Sequence, residues 1–222
     1  MLSIVDPEGY ALKALSVGAS EDGQPTGVWY TVVALGIGGD VVFEPRKGLK
    51  YLDLATGEIT TVIDRMGNPS NLSFDQSWVA YSSLGGPLMI GNLQTFESLT
   101  IPLLPDSDRG AGNAAFSPDD LYVAWMEGSG WRMTDTPNYH ATIRIAALDG
   151  TVVANIPQSA FEGVAGPEAI LWLEPAGWLN EQTLIVQVRL GEWNHAALIR
   201  VTYDGSQIAF LAPGAFVGFL YP

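Results

Sequence analysis

An all-β chain folded as a β-propeller of four-stranded antiparallel blades is expected here on three grounds. One hairpin is written five times: an apolar strand running into Asp or Asn, a tight turn, and a second apolar strand. The copies are Ile4-Val5-Asp6-Pro7-Glu8-Gly9, Leu52-Asp53-Leu54-Ala55-Thr56-Gly57-Glu58, Ile90-Gly91-Asn92-Leu93-Gln94-Thr95-Phe96-Glu97, Ala147-Leu148-Asp149-Gly150-Thr151 and Thr202-Tyr203-Asp204-Gly205-Ser206. With Phe96 standing where the other copies carry glycine, they recur about every fifty residues, a period that means radial blades when only strands fill it. The 14 prolines and 25 glycines fall between short Val/Ile/Tyr/Trp-rich runs, where turn signals belong.

The bulk properties agree. With 222 residues, 47% hydrophobic and only 15% charged, the chain can bury a large core without being divided into two domains, and disorder is not expected. Its formal net charge of −14 repels a polyanion, and Arg46-Lys47-Gly48-Leu49-Lys50 is the single basic cluster, so nucleic acid is not an expected partner. The absence of cysteine removes disulfides, thiolate metal sites and cysteine nucleophiles together. No apolar stretch reaches the roughly 18 residues of a membrane span, and Met1 to Tyr10 lacks the layout of a signal peptide. Because the chain opens inside a repeat, a leader or upstream segment is expected to be absent from it.

Taken in order, the first blade, residues 25–66, is read as strands Val28 to Leu35, Asp40 to Phe43, Leu49 to Leu54 and Ile59 to Ile63. The second, 67–109, runs Asn71 to Phe74, Trp78 to Ser82, Leu88 to Asn92 and Ser98 to Pro102. The third, 110–164, runs Asn113 to Phe116, Leu121 to Met126, Thr142 to Ala147 and Val152 to Ile156. Its first turn is Ser117-Pro118-Asp119-Asp120, in which proline presets one torsion and Asp bonds the backbone two residues on. The fourth, 165–213, runs Ala169 to Leu173, Thr183 to Arg189, Ala197 to Thr202 and Gln207 to Leu211. The aromatics before the first turns, Phe74, Phe116 and Trp178, are expected to pack between neighbouring blades. Residues 2–17 supply only an outer hairpin and Ala215 to Leu220 a lone inner strand. Joining them would cover two apolar edges and complete a fifth, shared blade in one propeller domain spanning 1–222.

The stretch Asn113-Ala114-Ala115-Phe116-Ser117-Pro118-Asp119-Asp120-Leu121-Tyr122-Val123-Ala124-Trp125 resembles the WD40-like repeat of TolB-type β-propellers, which reads Phe-Ser-Pro-Asp-Gly followed by an Ile-Ala-Tyr-like strand. Asp53-Leu54-Ala55-Thr56-Gly57 is similar to the end of that repeat, and Phe74-Asp75 with Val79-Ala80-Tyr81 to its beginning. The resemblance covers about residues 40 to 211 and departs from the pattern at Asp120, where the family has Gly, and in long loops of the third and fourth repeats. It implies a bacterial, extracytoplasmic propeller; relatives include periplasmic protein-binding propellers, surface modules and the gating domains of prolyl peptidases. Fold-level analogy does not choose among these.

In such a blade the second-to-third-strand loops and the blade connections emerge on one face, the usual ligand surface. The loop Glu127 to Ala141 carries Trp131, Arg132, Asp135, Tyr139 and His140, and the loop Leu190 to Ala196 carries Glu192, Trp193 and His195. Both histidines of the chain thus precede the third strand of adjacent blades. Two readings stay open: Trp131, Arg132, Tyr139, His140, Trp193 and His195 form a shared ligand site, or the aromatics only order long loops. Neither His-x-His nor His-x-x-x-His occurs, so no metal is expected, and Asp106-Ser107-Asp108-Arg109-Gly110 reads as a salted turn, since it lacks the later bidentate Glu of a calcium loop. No Gly-x-Ser-x-Gly elbow is present, and Gly36-Ile37-Gly38-Gly39 lacks the helix and lysine of a phosphate loop.

The function expected is non-catalytic recognition of a protein segment or small ligand on the long-loop face, by a monomer without cofactor. One alternative is a carbohydrate-active hydrolase or lyase using axial carboxylates, for which Asp75, Glu168 and Glu174 are the candidates. Another is a regulatory or structural fragment of a larger propeller protein. A cluster of two or three desolvated carboxylates at the axis would favour the enzyme.

Overall fold

The computed structural model describes residues 11–19, 25–33, 47–63, 68–82, 85–130, 139–191 and 195–218. They form four antiparallel four-stranded sheets, each in simple sequence order. The first sheet holds β1 (Ala11–Ala19), β2 (Pro25–Val33), β3 (Lys47–Asp53) and β4 (Ile59–Ile63). The second holds β5 (Asn68–Leu72), β6 (Trp78–Ser82), β7 (Leu88–Asn92) and β8 (Ser98–Ile101). The third holds β9 (Gly110–Phe116), β10 (Tyr122–Ser129), β11 (His140–Ala147) and β12 (Val152–Pro157), followed by a 3-10 turn, Gln158–Ala160. The fourth holds β13 (Ile170–Asn180), β14 (Thr183–Leu190), β15 (His195–Thr202) and β16 (Ile208–Pro213). These are the blades of a propeller, their first strands innermost: β5 packs on β9, and β9 on β13.

The repeated hairpin is the turn between the third and fourth strands. Asp53 Oδ1 accepts the backbone N–H of Ala55 and Thr56 at 2.8 Å each. Asn92 Oδ1 takes those of Gln94 and Thr95 at 2.8 and 2.9 Å. Asp149 and Asp204 bond Thr151 and Ser206 in the same way. The residue that closes the turn is left-handed in each blade, with φ +72 at Gly57, +61 at Phe96, +88 at Gly150 and +72 at Gly205. Phe96 therefore occupies glycine's conformation as well as its place, a strained choice for a side chain with a Cβ.

Between blades, the apolar faces merge into clusters centred on Ile143, Leu173 and Val186, on Ile90, Phe116 and Trp125, and on Leu49 and Val79. Two of the three turn-preceding aromatics are wedges as expected: Phe116 and Trp178 are each 4% exposed, and Trp178 Nε1 donates to Ala115 O at 3.0 Å across the blade boundary. Phe74 is not a wedge. It is 55% exposed. A different link replaces it, through the residue that departs from the repeat pattern. Asp120 takes the left-handed conformation of the missing glycine at φ +55, and its carboxylate accepts the N–H of Phe74 at 2.7 Å and of Asp75 at 2.8 Å in the preceding blade.

The first blade needs correction. Pro25–Val33 is its second strand, because Ala11–Ala19 pairs with it from Ala11 opposite Val33 to Ala19 opposite Pro25, while Lys47–Asp53 lies on its other side. Residues 11–17 are thus an innermost strand, not part of an outer hairpin. The strand expected at Asp40 to Phe43 lies outside the described residues, as do 2–10 and 219–220. Among the described residues no strand joins the C-terminal segment to β1, and 215–218 run without strand structure. The segment does turn back toward the axis: Phe216 N donates to Gln187 Oε1 on β14 at 2.7 Å.

Candidate functional site

Each inner strand is interrupted midway by a break in register. On β9, Trp125 faces Ala114 and Met126 faces Gly112, which leaves Asn113 as an extra residue, at φ +33. On β13, Pro175 faces Val186 and Gly177 faces Ile185, leaving Ala176. On β1, Ala14 faces Tyr30 and Ser16 faces Trp29, leaving Leu15, and β5 carries its irregularity between Asn68 and Asn71. A bulge bends the strand and re-aims side chains, and bulges are common beside active sites.

Around the bulges of β9 and β13 lies a cavity of about 240 Å³ lined by Asn71, Asn113, Ala114, Glu174, Pro175, Ala176, Gln187 and Phe216. Three neighbouring inner strands and the returning C-terminal segment thus meet at the axis. Glu174 is the one charged side chain among the described residues that line the cavity. It is held from both sides by neutral amides: Asn113 Nδ2 donates to Oε2, and Gln187 Nε2 donates to Oε1 at 3.0 Å. Gln187 is buried and is itself fixed by the Phe216 N–H, so the carboxylate is braced in two steps. Asn71 Nδ2 donates to Ala114 O and ties the second blade to the third at the cavity wall.

Of the three carboxylates considered for axial chemistry, only Glu174 lies at this cavity. Asp75 folds into its own turn, accepting Ser73 Oγ at 2.7 Å and Ser77 N at 2.8 Å. Burial pushes its pKa up, but the bonds from Ser73 and Ser77 outweigh that and hold it below the ordinary value. Asp120 beside it is shifted up by burial, against the pull of its two backbone N–H bonds and with added repulsion from Asp75. Glu168 stands on the long-loop face with its Oε2 3.4 Å from His195 Nδ1, both side chains about half exposed.

The residues expected on the long-loop face divide. Trp131, Arg132 and Trp193 lie outside the described residues. His140 and His195 are exposed and open the third strands β11 and β15, at matching places in adjacent blades. Tyr139 is buried at 7% exposure, stacked on Trp172 at 5.9 Å and 8°, with the Arg109 guanidinium 5.6 Å from its ring centre. The Asp108 carboxylate in the neighbouring connection accepts Gly130 N at 2.8 Å, which makes that acidic loop a brace for the end of β10. Asn71, Asn113 and Gln187 were not among the expected site residues. A signal existed: Asn71 stands three residues before Phe74 and Asn113 three before Phe116, the same step in two blades.

No protein-family model matches the chain, and no curated protein does. Solved structures do match. An oligogalacturonate lyase in complex with manganese superposes with a TM-score of 0.59 at 16% identity, over 96% of this chain and 59% of that one. The oligogalacturonate lyase of Vibrio parahaemolyticus gives 0.56 at 14% identity, over 93% and 57%. The acylaminoacyl peptidase of Pyrococcus horikoshii gives 0.53 at 11% identity, over 85% and 31%. The chain therefore spans less than three fifths of either lyase's length and under a third of the peptidase's, and at these identities the likeness is one of fold.

Proposed function

We propose that this chain is a recognition module that takes a small polar ligand, or the polar end of a protein segment, into the axial cavity from the long-loop face. The observation that carries the reading is the cavity's chemistry: one carboxylate, braced by amides, in a space of about 240 Å³. Carboxamides and a carboxylate placed on rigid strands fix the orientation of a polar guest. Glycoside hydrolysis by the usual route needs two carboxyl groups about 5–9.5 Å apart. Glu174 has no such companion among the described residues lining the cavity. The exposed His140 and His195 belong to the rim of this approach, while the buried Tyr139 stiffens the rim from beneath.

The test is ligand titration followed by protein NMR, using monosaccharides, dipeptides and short oligogalacturonates. Shifts clustered on Asn71, Asn113, Glu174 and Gln187, with the ligand recovered intact, are expected. Steady formation of an unsaturated sugar that Glu174→Gln abolishes would make the chain a lyase, a reaction for which one general base suffices. Shifts confined to His140, His195 and their loops would move the site outward.

A further inference from the structure

We infer that the axial cavity selects ligands bearing a primary ammonium group, with Glu174 as the counter-charge and the side-chain oxygens of Asn71 and Asn113 as additional acceptors. This rests on the recognition reading above and names its ligand class. The argument comes from how the polar groups are oriented. Ala114 O can only accept, so the amide end of Asn71 that meets it must be nitrogen; Glu174, as a carboxylate, imposes the same orientation on Asn113. The nitrogen ends of both asparagines are thereby directed at protein. Their oxygen ends have no partner among the described residues. Gln187 uses its nitrogen on Glu174 and its oxygen on Phe216 N, so it positions the carboxylate and offers the guest little else.

What remains for a guest is rich in acceptors. A carboxylate has room for about four hydrogen bonds, and two of those on Glu174 come from amides. Neither amide cancels its charge, and the described residues lining the cavity include no Lys, Arg or His. An ammonium group brings three donors and one positive charge, which matches one carboxylate and two amide oxygens. Phe216 adds an aromatic ring to the lining, a surface that tolerates a cation. The net charge of −14 biases the approach of cations in the same direction. A hard divalent metal is a poorer match, since it takes about six to eight oxygen ligands, commonly several carboxylates.

Calorimetric titration of the whole chain with matched pairs tests this: glycylglycinamide against its N-acetyl form, glucosamine against N-acetylglucosamine, with galacturonate and manganese chloride as further arms. Each amine is expected to bind about tenfold or more tightly than its acetylated partner, a gap that narrows as salt is raised. Glu174→Gln should bring that ratio close to one. The pair with the larger gap tells whether the ammonium belongs to a peptide terminus or an amino sugar. Equal binding of acetylated and free forms, or preference for galacturonate, overturns ammonium selection and leaves the recognition module standing. Manganese binding that displaces the amines and depends on Glu174 also overturns it. Failure of every probe to bind the cavity overturns both readings. The wild-type comparison decides the matter even if the variant does not fold.

Discussion

Two glutamates on neighbouring blades make opposite use of the same functional group. Glu127, on β10, is 2% exposed and meets Arg144 at 2.7 Å; Arg144 in turn donates to Pro102 O at 2.7 Å and to Asn155 Oδ1 at 2.9 Å and lies 5.0 Å from the Trp125 ring centre. Leu104 N and Trp125 Nε1 also donate to that carboxylate. Glu174, on β13, has amides where Glu127 has a guanidinium, and it faces a cavity where Glu127 faces packed strands. Charge neutralised inside a buried network pins the connection between the second and third blades. Charge held by dipoles alone is left available to a guest.

The comparison breaks most sharply by removing one member of the closed pair. Glu127→Gln leaves Arg144 buried without its counter-charge and should cost about 3–5 kcal/mol in chemical denaturation. Glu174→Gln, beside an open cavity, should cost no more than about 1.5 kcal/mol, the scale of a single net hydrogen bond. Equal losses at the two positions would mean that Glu174 is structural as well.

A second contrast sets one repeat position against itself. Phe116→Ala should cost about 3–5 kcal/mol, as for a buried Phe, whereas Phe74→Ala, at the same place one blade earlier, should stay within about 0.5 kcal/mol, as for a surface residue. A large loss at Phe74 would show that the turn of the second blade is covered by something else in solution.

Between those extremes stands Asp120→Gly. Glycine accepts the left-handed backbone at φ +55, so the substitution isolates the two bonds to Phe74 and Asp75. A loss of about 1–2 kcal/mol is expected from thermal melting, the net worth of bonds to a charged, partly exposed acceptor.

The smallest effect is the response to acid. Hydrogen bonds from Thr202 and from Ser206 hold Asp204 down at about 2, against an ordinary value of 3.8, and turn N–H bonds likewise lower Asp53 and Asp149. A carboxylate depressed in the folded state contributes stability that is complete above its unfolded pKa and is lost as pH falls through the folded one. Stability should therefore decline from about pH 4 toward about pH 2, and Asp204→Asn should flatten part of that decline in melts across the range. An unchanged acid limb would place these carboxylates outside the folding equilibrium.

What could be read in advance follows from how local each feature is. The third-to-fourth-strand turns were legible because Asp53, Asn92, Asp149 and Asp204 bond residues two or three places on, and even Phe96 kept the glycine's conformation. The second and third blades were legible because their strands are short apolar runs, buried nearly throughout, set off by turn residues such as Ser117-Pro118-Asp119-Asp120. In the first blade, Ala-Leu-Lys-Ala-Leu-Ser-Val-Gly-Ala over Ala11–Ala19 has a single β-branched residue, so the stronger run beginning at Val28 reads as the first strand in its place. At the site, Glu174 was visible as one candidate among three. Its brace was not, because Asn113 and Gln187 meet it across 61 and 13 residues of chain, through a bulge whose position is set by strand register.

The inner-strand bulges carry a consequence for variation. Leu15, Asn113 and Ala176 are each one residue beyond what the ladder can pair, and β5 breaks register at a comparable point. Residues outside the ladder are released from cross-strand pairing, so their identity can drift without unpicking a sheet. The inner strands thus carry a collar of bulge positions, Leu15, Asn113 and Ala176, of which Asn113 is confined by its left-handed φ of +33 to the residues that tolerate it. Swapping the side chain at Asn113 or Ala176 should retune what the axis accepts, one blade at a time, and a library restricted to that collar is the economical place to look for new specificities.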